Sequence, residues 1–316
     1  MTGVTVVVPT LGRPSLSELL GRLAGAPVDL IVVDDRRSPA GELPIPPGVD
    51  AKVLNGRAAG PGAARNTGWQ AARTEWVAFL DDDVLPDDDW VARLAADLGS
   101  APAYVGGVQG NLRVPLPADR PTDWERVTAA LADGEWITAD MAYRREALER
   151  AGGFDERLPR AFREDAELAH RVIRAGYALA RGTRTVTHPV RPESRWVSVR
   201  TQRGNADDAL LRRMYGRHWR TTLGIPPGRR SRHVAITVAA VVATLAPHRW
   251  VRAAAGLAWA AGTAEFATAR IKPGPGTPAE VATMLVTSAV IPPFATAFWL
   301  RGWIVARGAR PVETRQ

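Results

Sequence analysis

Hydrophobic residues in the first hundred positions form short runs that alternate with stretches of helical spacing. Three runs rich in β-branched and aromatic residues predict buried strands over residues 4–8, 30–33 and 76–80. Apolar residues at helical spacing predict helices over residues 15–23, 62–72 and 89–98. Strands that alternate with helices indicate an α/β fold, in which a mostly parallel sheet is flanked by helices.

The pattern changes twice further along the chain. Residues 100–135 are richer in Pro and Gly, and helices are predicted again over residues 142–151, 164–175 and 196–215. After residue 225, three uncharged runs follow at 234–247, 253–264 and 281–300, of which the first two are individually short. A membrane-spanning helix needs ~20 apolar residues, so the last run is long enough to span, although Pro292 and Pro293 lie inside it.

Charge divides the chain at the same place. Residues 1–225 contain 30 Lys and Arg against 30 Asp and Glu, whereas residues 226–316 contain 11 against 3, which accounts for the net charge of +8. We therefore predict a catalytic domain over 1–225 and a helical, membrane-associated region over 226–316 that meets anionic lipid. An inserting hairpin, interfacial amphipathic helices and a soluble helical subdomain are alternatives for this region.

Composition limits the partners and the compartment. Nucleic acid is not expected as a partner, because the C-terminal arginines are interleaved with apolar runs. The N-terminus lacks the basic segment of a signal peptide, which favours the cytoplasmic face of the cell membrane or a soluble cytoplasmic protein. The chain has no cysteine, so any metal must be held by oxygen or imidazole, which favours Mn²⁺ or Mg²⁺.

Two of the predicted strands end directly in acidic residues. Asp34-Asp35 follows the second strand, and Asp81-Asp82-Asp83 follows the third. Ligands bind beyond the carboxyl ends of the strands in such sheets. Adjacent carboxylates repel one another unless a cation neutralises them, and Mg²⁺ combines one or two carboxylates with phosphate oxygens. A metal–diphosphate site and a solvated acidic loop are both consistent with this pattern.

Three further groups are candidates for chemistry. Small residues precede Arg65 at a predicted helix start, where the arginine can pair with phosphate or simply follow a helix cap. Glu164-Asp165 opens another helix, where an acid complements the helix dipole or acts as a general base. His188 is a lone histidine, for which a structural role is more common than a metal-binding one.

Taken in order, these segments resemble glycosyltransferase family 2, whose members have the GT-A fold. The resemblance spans about residues 4–190 and is carried by seven segments, at 6–13, 32–36, 62–68, 79–83, 142–145, 152–156 and 164–168. One segment alone is a weak signal, but seven in the family's order are specific.

The resemblance implies roles for the individual residues. Nucleotide-sugar binding is implied for Pro9, Thr10, Arg13, Asp34, Asp35, Arg65, Asp81 and Asp82. Asp83 and His188 would hold the metal, and Asp165 would be the general base, with Glu164 beside it in the same motif. The acceptor side would be formed by Trp136, Asp140, Gly153 and Phe154.

The chain departs from the family pattern at three positions. Arg36 stands where the family usually has Gly, Asp140 where many members have Asn, and Ala166 where an aromatic residue is usual. The first difference bears on nucleotide preference and the second on the choice of acceptor or donor sugar.

The implied activity is inverting transfer of a sugar from a nucleoside-diphosphate sugar to a hydroxyl acceptor. The acceptor is expected to be a cell-envelope or lipid-linked glycan, or a secondary metabolite. A sugar-phosphate nucleotidyltransferase is an alternative, although the loop after the first strand lacks the usual Gly-rich, basic character. A non-catalytic membrane scaffold that keeps the fold is another, although Arg65, Asp83 and Asp165 are all present.

Overall fold

Strands and helices alternate along the first half of the computed structural model, which describes residues 3–39 and 41–309. The strands in these residues are β1 (Val4–Thr10), β2 (Asp29–Asp34), β3 (Lys52–Asn55), β4 (Trp76–Leu80), β5 (Leu85–Pro86), β6 (Val105–Arg113), β7 (Asp140–Arg144) and β8 (Ala178–Thr187). The helices are α1 (Ser15–Arg22), α2 (Pro61–Ala71), α3 (Trp90–Gly99), α4 (Asp123–Ala129), α5 (Arg145–Ala151), α6 (Glu164–Arg174), α7 (Val197–Arg200), α8 (Asn205–Tyr215), α9 (Trp219–Thr222), α10 (Arg230–Leu245), α11 (Arg249–Ile271) and α12 (Pro278–Val305).

The eight strands form one mixed sheet in the order β3-β2-β1-β4-β7-β6-β8-β5. The first four strands in this order are parallel, β7 is antiparallel to both of its neighbours, and β6 and β8 are parallel to each other. The predicted α/β class, with helices flanking the sheet, is confirmed. Because β2, β1 and β4 are adjacent and parallel, their carboxyl ends meet at one edge.

The sheet is buried on both faces by two apolar layers. Side chains alternate along β1, so that Val6 and Val8 lie in the layer that contains α1 and α3, while Val7 lies in the layer of α2, α5 and α6. Burial on both faces explains why β1, β2 and β4 are nearly continuous apolar runs in the sequence.

Helix α2 packs very closely on β1 at Gly68. A Cβ atom at this position would lie 2.3 Å from Cγ1 of Val7 and 3.2 Å from Cγ2 of Val33. Only glycine allows this approach without displacing the helix. The close packing fixes the position of Arg65, which lies one helical turn earlier on α2.

Several elements differ from those expected from the sequence. The helix predicted over 142–151 is helical only from Arg145, because residues 140–144 form β7, in which Met141 and Tyr143 face one apolar layer and Ala142 faces the other. Strands β3, β6 and β8 were not predicted. The helix expected over 196–215 is interrupted by a 3₁₀ turn at Thr201–Gly204.

The chain forms two compact units. One contains the described residues of Met1–Pro115 and Ala129–Val190, and the other contains Leu116–Thr128 with the described residues of Arg191–Gln316. The boundary predicted at residue 225 falls inside the second unit, in which α7 and α8 pack against α12 and α9 packs against α8. We call the two parts the sheet unit and the helical unit.

A buried arginine ties the helical unit together. The guanidinium of Arg270 on α11 donates to Asp123 Oδ2 at 2.7 Å, Thr287 Oγ1 at 2.8 Å and Ser198 Oγ at 3.1 Å. The Asp123 backbone N–H donates to Glu280 Oε1 at 2.9 Å. These bonds hold the short segment Leu116–Thr128 against α11 and α12, so this segment belongs to the helical unit although it lies between β6 and β7 in the sequence.

One helix is long and apolar enough to cross a membrane among those the structure describes. It covers Pro278–Gly308, has a mean hydropathy of 1.6 in its most apolar window, and 33% of that window is buried. Length and composition alone make it a candidate span, and the core helix of a soluble protein meets the same criteria.

Candidate active site

The carboxyl edge of β1, β2 and β4 brings together the acidic groups expected at the site. Thr10 ends β1, Asp34 ends β2, and Asp81-Asp82-Asp83 follow β4. All of these residues except Asp81 are less than one-tenth exposed, and the Asp81 side chain is 31% exposed. Parallel strand ends therefore produce a dense, largely buried cluster of carboxylates at one edge.

Asp82 is bound on both oxygens by the loop that follows β1. Thr10 Oγ1 donates to Oδ2 at 2.6 Å, and the Arg13 guanidinium donates to Oδ1 at 2.5 Å. The backbone N–H of Gly12 donates to Thr10 Oγ1 at 2.9 Å. This chain of hydrogen bonds holds the loop in one conformation above the strand ends.

Asp34 and Asp35 are adjacent but differ in their environment. The Arg36 side chain binds both oxygens of Asp34, with distances of 2.9 Å to Oδ1 and 2.7 Å to Oδ2, and these hydrogen bonds keep the pKa of Asp34 below its usual value. Asp35 accepts from the Gly60 backbone N–H at 3.0 Å through Oδ2, while its buried Oδ1 has no hydrogen-bond partner in the described part of the chain. A buried carboxylate oxygen without a partner is costly unless a ligand donates to it.

Arg65 connects the two acidic parts of the site. Its guanidinium donates to Asp81 Oδ1 at 2.7 Å and to Glu164 Oε1 at 2.9 Å, and it lies 5.5 Å from the centroid of the Phe154 ring. Burial alone would lower the pKa of Arg65, but Asp81 and Glu164 outweigh it and raise the pKa. The arginine therefore stays charged and joins the end of β4 to the start of α6.

Glu164 and Asp165 open α6 with different exposures. Glu164 is 2% exposed, and burial together with the neighbouring Asp165 carboxylate raises its pKa to about 7. Asp165 is partly exposed, and burial of its carboxyl raises its pKa although the Ala166 backbone N–H donates to Oδ1 at 2.8 Å. A partly exposed carboxyl with a raised pKa suits a general base, whereas a fully buried one paired with Arg65 suits a positioning role.

The raised pKa of Glu164 predicts a pH-dependent stability. The folded state holds this proton more tightly than the unfolded state, so the free energy of unfolding should fall as pH rises from the ordinary value of 4.5 to about 7. Glu164→Gln keeps an oxygen for Arg65 and removes the titration, so urea unfolding should show a smaller drop across this window. Glu146→Gln on the exposed face of α5 is the control, and an equal drop in all three proteins would contradict the assignment.

Asp83 and His188 are the pair available to a divalent metal. His188 follows β8, and its Nε2 lies 3.8 Å from Asp83 Oδ1, with both side chains largely buried. No group of three or more acidic, His or Cys side chains arranged to hold a metal occurs in residues 3–39 and 41–309. Two protein ligands still fit Mn²⁺ or Mg²⁺, because such ions complete their coordination with water and substrate phosphate oxygens.

The residues expected on the acceptor side are not brought together on one surface. Asp140 is fully buried, with Oδ1 bound by Arg184 Nε and Oδ2 by Trp90 Nε1, both at 2.8 Å. Phe154 is 2% exposed and packs edge-on against Phe79. The positions of Asp140 and Phe154 therefore differ from the expectation, because β7 runs through the middle of the sheet and the turn at Phe154 packs beneath Arg65.

Two other residues from the acceptor set have unusual backbone conformations. Gly153 has a φ of 69° and Trp136 a φ of 63°, and Trp136 is partly exposed. The Trp136 backbone N–H donates to the side chain of Gln109 on β6. A left-handed conformation is rare for tryptophan, and strained residues of this kind gather at functional sites.

Two residues near the site, Asn66 and Arg163, were not singled out from the sequence. Asn66 donates to Phe154 O and Glu156 Oε1, both at 2.9 Å, and so joins α2 to the turn before α6. Arg163, directly before Glu164, is left-handed with a φ of 75°. Of these two residues, only Asn66 could have been suspected from the sequence, because it directly follows Arg65.

Part of the chain is similar in sequence to known proteins. The model of the family described as glycosyl transferase family 2 matches residues 5–151. The pre-mycofactocin glycosyltransferases of two Mycobacterium tuberculosis strains are 34% identical over 192 residues, which cover 56% of this chain and 40% of the relative. The chain therefore matches less than half the length of these curated relatives.

Two solved structures can be compared with this chain. Glucosyl-3-phosphoglycerate synthase from Mycobacterium tuberculosis, in complex with Mn²⁺, UDP and glucosyl-3-phosphoglycerate, is 19% identical over 72% of this chain and 81% of that chain, with a TM-score of 0.46. S. aureus TarS 1–349 is 15% identical over 98% of this chain and 92% of that chain, with a TM-score of 0.43. Residues 5–151 of this chain are therefore similar to glycosyltransferase family 2, both by the family-model match and by the order of the seven segments.

Proposed function

We propose that this chain is a metal-dependent, inverting glycosyltransferase that uses a nucleoside-diphosphate sugar and a hydroxyl acceptor. The observation that carries the proposal is the Arg65 link, which joins Asp81 in the acidic segment after β4 to Glu164 beside Asp165. The hydrogen bonds of Arg65 would then connect the donor-binding residues to the residues that act on the acceptor. The name of the curated relatives, pre-mycofactocin glycosyltransferase, supports sugar transfer.

The donor site is proposed at the strand ends. Asp35 Oδ1 would accept from a nucleotide N–H or hydroxyl, because it is buried and lacks a hydrogen-bond partner in the described residues. Asp83 and His188 would hold Mn²⁺ or Mg²⁺, which when bound neutralises the charge that develops on the diphosphate. Thr10, Arg13 and Asp82 keep the loop over the nucleotide in place through their mutual hydrogen bonds.

The proposed reaction is a single displacement. The acceptor oxygen forms a bond to the anomeric carbon as Asp165 takes the hydroxyl proton, and the bond from that carbon to the diphosphate oxygen breaks with its electron pair. Attack from the side opposite the leaving group inverts the anomeric centre. Arg65 keeps Glu164 and Asp81 in position and adds positive charge near the leaving diphosphate.

Calorimetric titration with UDP, GDP and dTDP, with and without Mn²⁺, tests the donor site. We expect one nucleotide to bind tightly and only in the presence of the metal. Asp83→Asn should weaken this binding at least tenfold, since loss of even an outer partner of a metal ligand costs roughly 10- to 100-fold. Asp88→Asn is the matched control, because the Asp88 side chain is 99% exposed. Binding that is equally tight without Mn²⁺, or in the Asp83 variant, would contradict the metal assignment.

We also propose that the enzyme works at the cytoplasmic face of the cell membrane. The excess of basic residues after residue 225, in a segment made of long apolar helices, supports this placement. A membrane location would suit a lipid-linked or cell-envelope acceptor. Recovery of the full chain entirely in the soluble fraction, without detergent, would contradict the placement.

A further inference from the structure

We propose that the apolar hairpin, residues 237–264 of α10 and α11, is the part of the chain that docks on a membrane. It would lie flat in the interface of a bilayer that contains anionic lipid, and α12 would remain packed within the helical unit. This inference rests on the membrane placement proposed above, but it concerns binding to lipid and does not depend on sugar transfer.

Burial is the first observation that singles out the apolar hairpin. None of its 28 residues, all of which are described, is buried. Its large side chains include Leu245 at 76%, Trp250 at 73% and Leu257 at 73% exposed. A soluble protein rarely leaves a continuous apolar surface of this extent uncovered, and such a surface marks a site of protein or membrane interaction.

Packing of α10 against α11 leaves much of this apolar surface exposed. The two helices pack directly on each other, and a Cβ atom on Gly262 of α11 would lie 2.7 Å from Cγ1 of Ile236 on α10. A groove of about 480 Å³ is also lined by small residues of both helices, among them Ala239 and Ala258. Arg232 and Glu265 lie at one end of the groove and form an ion pair. The remaining walls are apolar, so the hairpin presents an apolar outer face and an apolar groove to its surroundings.

Helix α12 is more apolar by composition, yet one of its faces is already covered. Met284, Ile291 and Ala295 are buried, and a Cβ atom on Gly302 would lie 2.5 Å from the Ala206 carbonyl oxygen on α8. Thr287 on α12 accepts from the buried guanidinium of Arg270. Polar partners along the middle of this helix are typical of a packed protein interior and would be costly in hydrocarbon.

Charge indicates what covers the apolar hairpin. Its charged residues are Arg249 and Arg252, and it contains no Asp or Glu. Both arginines lie at the start of α11, next to His248 and Trp250, and the Arg249 guanidinium lies 4.8 Å from the Trp250 ring. Basic residues beside exposed aliphatic side chains and tryptophan are the combination that binds the headgroup region of anionic membranes.

The position of the two arginines favours a hairpin that lies in the interface. Residues 237–245 rise roughly 14 Å at ~1.5 Å per residue, about half of the ~30 Å hydrocarbon thickness. An upright hairpin would therefore place Arg249 and Arg252 near the middle of the bilayer, where charged side chains are strongly disfavoured. A flat hairpin lets the same arginines reach phosphate groups while Leu245 and Leu257 enter the acyl boundary.

A labelling experiment on the full chain separates the hairpin from α12. Because the natural sequence has no cysteine, Leu257→Cys and Leu285→Cys each create one site for a polarity-sensitive dye. Both leucines are exposed, at 73% and 52%. Addition of vesicles of phosphatidylcholine and phosphatidylglycerol should shift the emission of the dye at 257 to the blue and leave the dye at 285 unchanged.

Three results would overturn the proposal. A shift at 285 equal to or larger than that at 257 would assign the membrane to α12. No shift at either site would remove the membrane as the occupant. A shift at 257 that grows with protein concentration and needs no vesicles would show that a second copy covers the hairpin. Titration of the same labelled proteins with nucleotide tests the donor site independently. Failure of the proposed transferase function can therefore be distinguished from failure of the proposed membrane docking.

A charge variant tests the anionic lipid. Arg249→Gln with Arg252→Gln should weaken binding to the phosphatidylglycerol vesicles roughly 30-fold, at ~1 kcal/mol per arginine near the surface. Arg301→Gln with Arg307→Gln removes the same charge from exposed positions outside the hairpin and should have a much smaller effect. Equal weakening by both pairs would show that net charge alone, rather than the hairpin, directs the protein to lipid.

Discussion

Asp165→Asn is expected to lower the rate of sugar transfer by roughly 10²- to 10⁴-fold, the usual contribution of a positioned general base. The amide cannot take the acceptor proton, but it keeps the size and a hydrogen-bonding oxygen of the carboxylate. Nucleotide binding should be unchanged, because Asp165 is not part of the proposed donor site. The rate is measured as kcat with saturating donor, alongside calorimetric titration of the nucleotide.

The pH dependence of the same variant gives a second test. A general base must be ionised, and burial raises the pKa of Asp165, so the transfer rate of the natural protein should fall as pH drops through this raised value. The residual activity of Asp165→Asn should lack this fall. Glu146→Gln, on the exposed face of α5, should keep both the rate and the pH profile. Unchanged transfer by Asp165→Asn would show that another group is the base.

Asp140→Ala is expected to lower the free energy of unfolding by roughly 3–5 kcal/mol, the cost of breaking a buried ion pair by removing one partner. Arg184 and Asp140 are both 0% exposed, and Arg184 Nε lies 2.8 Å from Asp140 Oδ1. Without Asp140, Arg184 retains Asp97 at 3.2 Å and the Val108 carbonyl oxygen at 2.7 Å, and the indole N–H of Trp90 loses its acceptor.

Urea unfolding of matched variants measures this effect. Asp88→Ala removes a fully solvated carboxylate and should change the free energy of unfolding by less than about 1 kcal/mol. The double change Asp140→Leu with Arg184→Met should recover much of the loss, because it removes both buried charges together. If Asp140→Ala kept full stability but lost transfer, Asp140 would act on the acceptor after all.

The sequence was most informative where strands are buried on both faces. The strand predicted at residues 76–80 matches β4, and those at 4–8 and 30–33 lie within β1 and β2, because continuous β-branched runs bounded by polar residues have few other interpretations. Strand β6 was missed because Gly106, Gly107 and Gly110 lower its β-propensity, and β8 because Arg and Thr alternate along it.

The candidate site was only partly predictable, because sequence motifs indicate where residues lie but not what they bind. Motif order indicated which residues lie at the carboxyl edge, since strand ends in a parallel sheet share one side. It could not indicate which carboxylates are already bound by neighbours. Arg36 binds both oxygens of Asp34 from two residues away, but its side chain could equally have pointed into solvent. Arg184 and Trp90, which bind Asp140, are more than 40 residues from it in the sequence, so no local pattern indicates their contact.

The placement of residues 116–128 limits how this chain could exchange parts with its relatives. Asp123 and Arg126 lie between β6 and β7 in the sequence, yet both bind Arg270 on α11. The Arg270 guanidinium donates to Asp123 Oδ2, and the Arg270 carbonyl oxygen accepts from the Arg126 guanidinium. A chimaera joined at a single point near residue 190 or 225 would inherit this segment from one parent and its partners from the other. Recombination that replaces the C-terminal helices would therefore need two crossovers, and the short segment and the helices are expected to be inherited together.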